Sequence, residues 1–385
     1  MESYVVKARR QLHMYPEVGF DLDRTLAFLK SELNKMGVEY TEKFGKSSLV
    51  ATINPEKTNF TIGVRADTDA LPITELNDVP YKSCIEGQMH ACGHDAHTAI
   101  VLDVVRRINE MRDKINCRVK FLFQSAEEYP PSGAKLMMQD GVMNDIDCIV
   151  ALHCDTNYSA GQIAITEGPQ SATSDGFHLE FYGKSAHAAN QQRGNDAITM
   201  AVRAYTDIEF MVAKEIAAKE RIIFNVGSIH GGEANNVICD HCSMYCTLRT
   251  WSDAVANHAL DKIKRIIKAV AETADGRAEF TVDKHYPIVN NDPVISDKIR
   301  EAAIKVVGEN NVLKNNRTMG GEDFSFFANE KPGAMYRLGV RNEARGMTIG
   351  VHNGGFDLDE DALAVGSDIF VQFILDNMNG IDFGA

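Results

Sequence analysis

The sequence contains no apolar run of the ~20 residues that a membrane-spanning helix needs. It opens on MESYVVKARRQLHMYPE, which lacks the apolar core of a secretion signal. These absences set the expectation of a cytoplasmic protein with no membrane partner. Cysteine is scarce: eight in 385 residues are far too few for a disulfide scaffold, and the thiols are expected to be reduced. Positive charge is also short, 40 Lys and Arg against 54 Asp and Glu for a net charge of -14, so no basic face is expected for nucleic acid or an anionic bilayer. Neither an internal repeat nor a low-complexity tract is found. What remains is a chain that is 44% hydrophobic and long enough for two domains.

The first third alternates helical and strand patterns. DRTLAFLKSELNKMG places Leu26, Phe28, Leu29 and Leu33 on one helical stripe and stops at Gly37. FTIGVRA reads as a buried strand running into Asp67 and Asp69, AIVLDVVRRINEM as a core-facing helix, and RVKFLFQ and DCIVALH as further strands. This alternation implies right-handed crossovers and a mostly parallel sheet covered on both faces, an α/β fold. From about Ser174 to Pro287 the order becomes strand, helix, strand, strand, helix, strand, with helices from Asn195 to about Ala217 and from Ser252 to Ala274. The expected organisation is therefore one domain made of residues 1-173 and 288-385, interrupted by a smaller α+β domain at 174-287.

Two stretches carry concentrated chemistry. MHACGHDAHTA packs His90, Cys92, His94, Asp95 and His97 into one loop ahead of a helix, and imidazole and thiolate are the ligands that divalent zinc prefers. In QSAEEYPPSG, the adjacent Glu127 and Glu128 repel each other unless a cation or partner offsets them. Neighbouring strand residues point to opposite faces, so both can serve one site only if the chain has left strand geometry there, a departure that Pro130 and Pro131 favour. Asp67 follows FTIGVRA, the glutamates follow RVKFLFQSA, His153 ends CIVAL, and His352 follows MTIGV. Each stands at the carboxyl end of an apolar run, where ligands of open α/β sheets gather. Cys239 and Cys242 flank His241 in a CxxC that suggests a zinc or redox site. The surrounding VICDHCSMYCTLRT is strand-like and no second CxxC completes four ligands, so these cysteines are assigned no chemistry.

RRQLHMYPEVGF, GVRADTDALPI, MHACGHDAHTA, QSAEE, LHCD, GKSAHAA, GGEANNVI, GGEDFSFF and VHNGGF, in this order, resemble the dinuclear metallo-amidohydrolases. That group includes hippurate hydrolases, auxin-conjugate hydrolases and N-acetyldiaminopimelate deacetylases, relatives of aminoacylase and carboxypeptidase G. The resemblance covers nearly the whole chain. It implies a zinc-peptidase-like catalytic domain with an inserted lid that mediates a homodimer, and two divalent ions, Zn2+ or Mn2+, per chain. By position, Cys92 would bridge the ions where most relatives use an aspartate, His94 and His153 would complete one, and Glu128 and His352 the other. Glu127 would be the general base acting on a bridging hydroxide, and Asp67 would hold a metal ligand in orientation. His90 and His97 would support the site or the fold. In the lid, His187 would donate to the scissile carbonyl oxygen from a partner subunit, and Asn236 and Arg249 would hold the substrate carboxylate. From the residues alone, the favoured reading of His187 is a surface histidine at a strand-to-helix turn, and Arg249 reads equally as a solvated strand residue.

The implied reaction is hydrolysis of the amide bond of an N-acyl amino acid or small peptide. The alternatives are a carboxypeptidase or dipeptidase using the same residues, and a non-catalytic metal- or amino-acid-binding protein. Asn190 and Gln191 after HAA, NVIC in place of NVIP, and HNGGF in place of an HNP-like ending depart from the family pattern, which leaves the side chain and acyl group of the substrate open.

Overall fold

The computed structural model describes residues 2-384; Met1 and Ala385, which fall in the expected catalytic domain, lie outside the described residues. The chain divides into two compact units. One comprises Met1–Gln170, Val289–Asn316 and Asp323–Ala385, the other Ser171–Ile288 and Arg317–Glu322. The long insertion is Ser171–Ile288. The short return at 317-322 departs from the expected assignment of 288-385 to one domain. Its backbone is held by the second unit: Arg249 Nη1 donates to the Met319 carbonyl at 2.9 Å, Trp251 Nε1 to Thr318 at 3.0 Å, and the Ala172 N–H to Gly320 at 3.1 Å.

The first unit is built on an eight-stranded sheet in the order Glu39–Thr41, Leu49–Ile53, Arg118–Gln124, Thr61–Asp67, Cys148–Ser159, Gly333–Arg341, Ile163–Ala164, Val312–Leu313. Its four central strands, Arg118–Gln124 to Gly333–Arg341, are parallel; Glu39–Thr41 pairs antiparallel with Leu49–Ile53, which pairs antiparallel with Arg118–Gln124. Thr61–Asp67 is buried at every position, as expected for a parallel strand covered on both faces. Helix His94–Glu110 buries Ile100, Val101, Leu102, Val104, Val105 and Ile108 in a core shared with the sheet and with helices Tyr4–Met14 and Asp361–Asn377. The stripe read in DRTLAFLKSELNKMG is the helix Asp23–Met36, which buries Leu26, Leu29 and Leu33 and ends on Gly37 in the left-handed conformation.

Two of the apolar runs do not end as strands at their histidines. The strand carrying His153 continues to Ser159, so His153 lies inside it, opposite Arg337 of the neighbouring strand. MTIGV is not a strand: beyond a single bridge between Met347 and Asn342 it has no strand partner among the described residues, and Ile349 is 42% exposed. His352 is held by other means, described below.

The second unit is a four-stranded antiparallel sheet ordered Arg277–Tyr286, Ser174–Tyr182, His241–Thr250, Ile222–Gly231. Alternate residues Phe177, Leu179 and Phe181, with Met244 and Leu248, pack in one cluster with Met200 and Ile208 of helix Ala197–Glu215 and with Ile263 and Ile267 of helix Asp253–Thr273. Asp196 and Ser252 cap the two helices through their side chains. Cys242 and Cys246 face this core, and the Cys239 thiol donates to the His241 carbonyl; every cysteine is free. Among the described residues no helix is long and apolar enough to cross a membrane.

Candidate metal centre

Backbone geometry brings four separated motifs of the first unit together. Gly93 sits at φ +84° immediately before helix His94–Glu110, a conformation that side chains resist, and a Cβ there would lie 3.4 Å from Cys154 Cβ. This turn sets Cys92 and His94 side by side. After strand Arg118–Gln124, Ala126 adopts φ +47°, so the chain leaves strand geometry one residue before the glutamates rather than at the prolines. The N–H groups of Glu127 and Glu128 then both donate to the Asp69 carboxylate, at 3.0 and 3.2 Å. His352 also adopts a positive φ, +61°, and its N–H donates to the Ala91 carbonyl at 2.8 Å, tying its loop to the MHAC turn. Such uncommon backbone conformations concentrate at functional sites.

The side chains form two donor triads that share one sulfur. Ligand atoms of Cys92, His94 and His153 lie within 4.8 Å of one another, as do those of Cys92, Glu128 and His352 and those of His94, Glu127 and Glu128. His94 donates from Nδ1 to the Asp69 carbonyl at 2.9 Å, while its buried Nε2 has no hydrogen-bond partner among the described residues. His153 donates from Nδ1 to the Cys154 carbonyl at 2.7 Å and sets Nε2 3.5 Å from Cys92 Sγ. Fixing one ring nitrogen on a carbonyl and freeing the other is how proteins orient imidazole toward a cation. His352 Nε2 stands 2.8 Å from Glu128 Oε1, an oxygen that makes no well-aligned hydrogen bond among the described residues.

Burial and neighbouring charges set the protonation of these donors, and a cation would have to displace protons from some of them. Burial pushes the Cys92 thiol well above its ordinary range, so without a cation it stays protonated. Burial also raises Glu128, but the neighbouring His352 and His94 outweigh it and hold the carboxyl below its usual range. Burial, then the Arg337 cation, push His153 far down and keep it neutral, the form that binds metal. Burial opposes charge on His94, yet Asp67 and Cys92 raise it.

Asp67 is fully buried and accepts from His97 Nδ1 at 2.6 Å and from Arg65 Nη1 at 2.8 Å, with its second oxygen 3.6 Å from His94 Nε2. His97 is used on both sides, since its Nε2 accepts the Cys154 N–H at 2.9 Å. It is therefore a spacer between Asp67 and the His153 strand rather than a donor to a cation. His90 is buried, with neither ring nitrogen hydrogen-bonded among the described residues, and burial pushes it down to about 3.

Beneath the loop, Asp95 accepts from Arg9 Nε at 2.8 Å and from His13 Nδ1 at 2.7 Å, and all three side chains are essentially inaccessible. Deleting the carboxylate leaves a guanidinium buried with a partner missing, so Asp95→Ala is expected to lower the unfolding free energy of the metal-free protein by about 3–5 kcal/mol. Urea denaturation followed by circular dichroism measures this; a loss under ~1 kcal/mol would show that the pair is not holding the loop.

The remaining expected residues lie in the second unit. His187 is exposed, pairs with Val237 in an isolated bridge, and accepts the Ala189 N–H on Nδ1 at 3.1 Å. A neutral ring with that acceptor carries its proton on Nε2. Asn236 is exposed, and its main-chain carbonyl accepts the Ala188 N–H at 2.9 Å. Arg249 is half-buried, with Nη1 on the Met319 carbonyl. Sequence reasoning missed Asp69, which holds both glutamate amides and the His94 ring; its signal was a second carboxylate two residues after Asp67, on the same face of the chain.

A mostly parallel α/β unit that gathers thiolate, imidazole and carboxylate donors around one shared sulfur, with a further carboxylate beside them, has the form of a metal-dependent hydrolase. The comparisons make that class specific: residues 63–376 match peptidase family M20/M25/M40, and the chain belongs to that family. It is 33% identical over 380 residues to an N-acetyldiaminopimelate deacetylase of Listeria innocua, covering 97% of this chain and 99% of that protein. It is 32% identical over 370 residues to thermostable carboxypeptidase 1 of Saccharolobus solfataricus, covering 95% and 93%. A crystal structure of a dinuclear metal-binding peptidase of family M20 from Bacillus subtilis superposes with a TM-score of 0.83 at 28% identity over 98% of both chains. The protein is a hydrolase of this family, with a mostly parallel catalytic sheet and a separate antiparallel domain.

Proposed function

We propose that the protein hydrolyses the amide bond of an N-acyl amino acid, releasing a carboxylate and an amino acid. The observation that carries this reading is the pair of donor triads sharing Cys92 Sγ, with Glu127 in reach of the same cluster. Cys92, His94 and His153 would hold one divalent ion, and Cys92, Glu128 and His352 a second, zinc or manganese by donor type. Divalent ions held there would supply a water of lowered pKa, available as hydroxide near neutrality. Glu127, buried and fixed through its amide to Asp69, would accept a proton from the attacking water and return it to the departing nitrogen, so that its carboxylate ends the cycle ionised as it began. Asp67, through His97, keeps the His153 strand in place.

The proposal extends to the second unit. His187 donates from Nε2–H to the carbonyl oxygen as negative charge develops, from the partner subunit of a homodimer, and Asn236 and Arg249 hold the substrate carboxylate. His187→Ala is then expected to lower turnover about 100 to 1,000-fold with metal content unchanged. Mixing it with inactive Glu127→Ala should restore part of the activity, because a mixed dimer has one site with both groups. No recovery after verified subunit exchange places His187 in its own chain, and unchanged turnover in the single variant returns it to a surface role. The protein is taken to act in the cytoplasm, with no nucleic-acid or membrane partner.

The carboxypeptidase relative favours a second reading in which the acyl group is itself a peptide. A panel of N-acetyl and N-benzoyl amino acids and dipeptides, assayed for amine release with defined metals, separates the two. Release from the acyl amino acids over dipeptides supports the first reading, and the reverse order supports the second. Metal uptake without turnover on any of them leaves a binding protein.

A further inference from the structure

Outside the donor set, the most extensive unexplained feature of the first unit is a cation buried at the centre of a polar chain. Arg65, 1% exposed on strand Thr61–Asp67, uses all three of its nitrogens: Nε donates to Gln124 Oε1 at 2.8 Å, Nη1 to Asp67 at 2.8 Å, and Nη2 to Asp323 Oδ1 at 2.7 Å. Asp323, fully buried, is the residue at which the chain re-enters the first unit. Its second oxygen accepts from Gln124 Nε2 at 2.7 Å and from the Ser132 hydroxyl at 2.7 Å. Ser132 caps the helix that follows the two glutamates, and the Gly133 N–H closes that turn on the Ala126 carbonyl. On the other side, Asp67 continues through His97 to the backbone of Cys154, next to His153.

The chain Ser132, Asp323, Arg65, Asp67, His97, Cys154 therefore runs through the glutamate turn, the helix of His94 and the strand of His153. Folding alone does not require such a chain, because a buried ion pair is often no more stabilising than well-packed apolar residues of the same volume. A planar fork that meets three acceptors on separate segments does fix geometry, and a lysine cannot reproduce it.

We propose that Arg65 and Asp323 are positioning residues of the metal centre: their ion pair sets the separation between the glutamate turn and the segments bearing His94 and His153, and hence the tightness and geometry of metal binding. This rests on the metal-centre reading given above. Neither residue is among the five ligands proposed above, and neither is assigned contact with substrate; Asp323 does lie in a carboxylate cluster with Glu127 and Glu322, their oxygens within 4.8 Å of one another.

The test uses the full-length protein, stripped of metal and titrated with Co2+, whose thiolate and ligand-field absorption reports both affinity and coordination geometry. The variants are Arg65→Lys, which keeps the charge and loses the fork, and Asp323→Asn, which keeps the shape and loses the charge. Each is expected to bind cobalt at least ~10-fold more weakly, to shift the ligand-field bands, and to lower kcat with KM little changed. A general loss of packing would not alter the absorption of the fraction that binds. Folded variants with wild-type affinity and spectrum overturn the proposal. Should either fail to fold, Ser132→Ala removes one neutral donor from Asp323 and is read instead; a few-fold weaker affinity supports the proposal and no change overturns it. Wild-type protein that binds cobalt but hydrolyses none of the panel sinks the functional reading alone, because the affinity comparison stands without turnover.

Discussion

Replacing Glu127 by Gln is expected to leave metal content unchanged while turnover falls by a factor of at least ~100. The carboxamide keeps the size of the side chain, and the main-chain bond from residue 127 to Asp69 does not depend on the side chain at all. What Gln cannot do is accept a proton from water, and the factor is the ordinary contribution of a positioned general base. Glu128→Gln should behave oppositely. Glu128 belongs with Cys92 and His352 in one triad, and its carboxyl is held below its usual range by His352 and His94 against the effect of burial, so neutralising it removes a charged donor and metal occupancy falls first. Metal analysis beside steady-state kinetics on both variants decides the matter. Metal loss in Glu127→Gln with retention in Glu128→Gln would invert the two roles.

The division of labour between adjacent glutamates shows where sequence is informative and where it stops. That both could face one site depended on the backbone leaving strand geometry, and the prolines were the visible signal for that. The break occurs at Ala126, φ +47°, stabilised by a carboxylate nearly sixty positions earlier in the chain, at Asp69. Local propensity does not report such a long-range contact. The same holds for His352. The sequence places it only at the end of an apolar run, whereas MTIGV lies outside the sheet with Thr348, Ile349 and Gly350 exposed, and His352 is positioned by one amide bond to Ala91 and an unusual φ. The donor types themselves were legible because thiolate, imidazole and carboxylate cluster in short motifs, and the sheet and the inserted domain were legible because hydrophobic periodicity changes with the element. Arg65 and Asp323 were not, since a charged residue that ends inside the core looks in sequence like one that stays in water.

Cys92→Ala is expected to lose most of both ions and, with them, nearly all activity. Cys92 is the one residue common to the two triads, so truncating it takes a donor from each, whereas truncation of His153 or His352 takes a donor from one. The residue is 5% exposed, and burial holds its thiol protonated; a bound cation must therefore displace that proton, and the resulting thiolate is a strong ligand once formed. Alanine in the same pocket leaves a gap among His94, His153 and Glu128, and each remaining pair of donors holds an ion too weakly to survive gel filtration. Cys92→Asp is the informative companion. A carboxylate can bridge as a thiolate does, so this variant should retain two ions while its preference moves from softer zinc toward harder manganese. Metal analysis after purification without chelator, followed by competition between the two ions, measures both effects. Full metal content and turnover in Cys92→Ala would remove the shared sulfur from the site and, with it, the proposal of two ions at one centre.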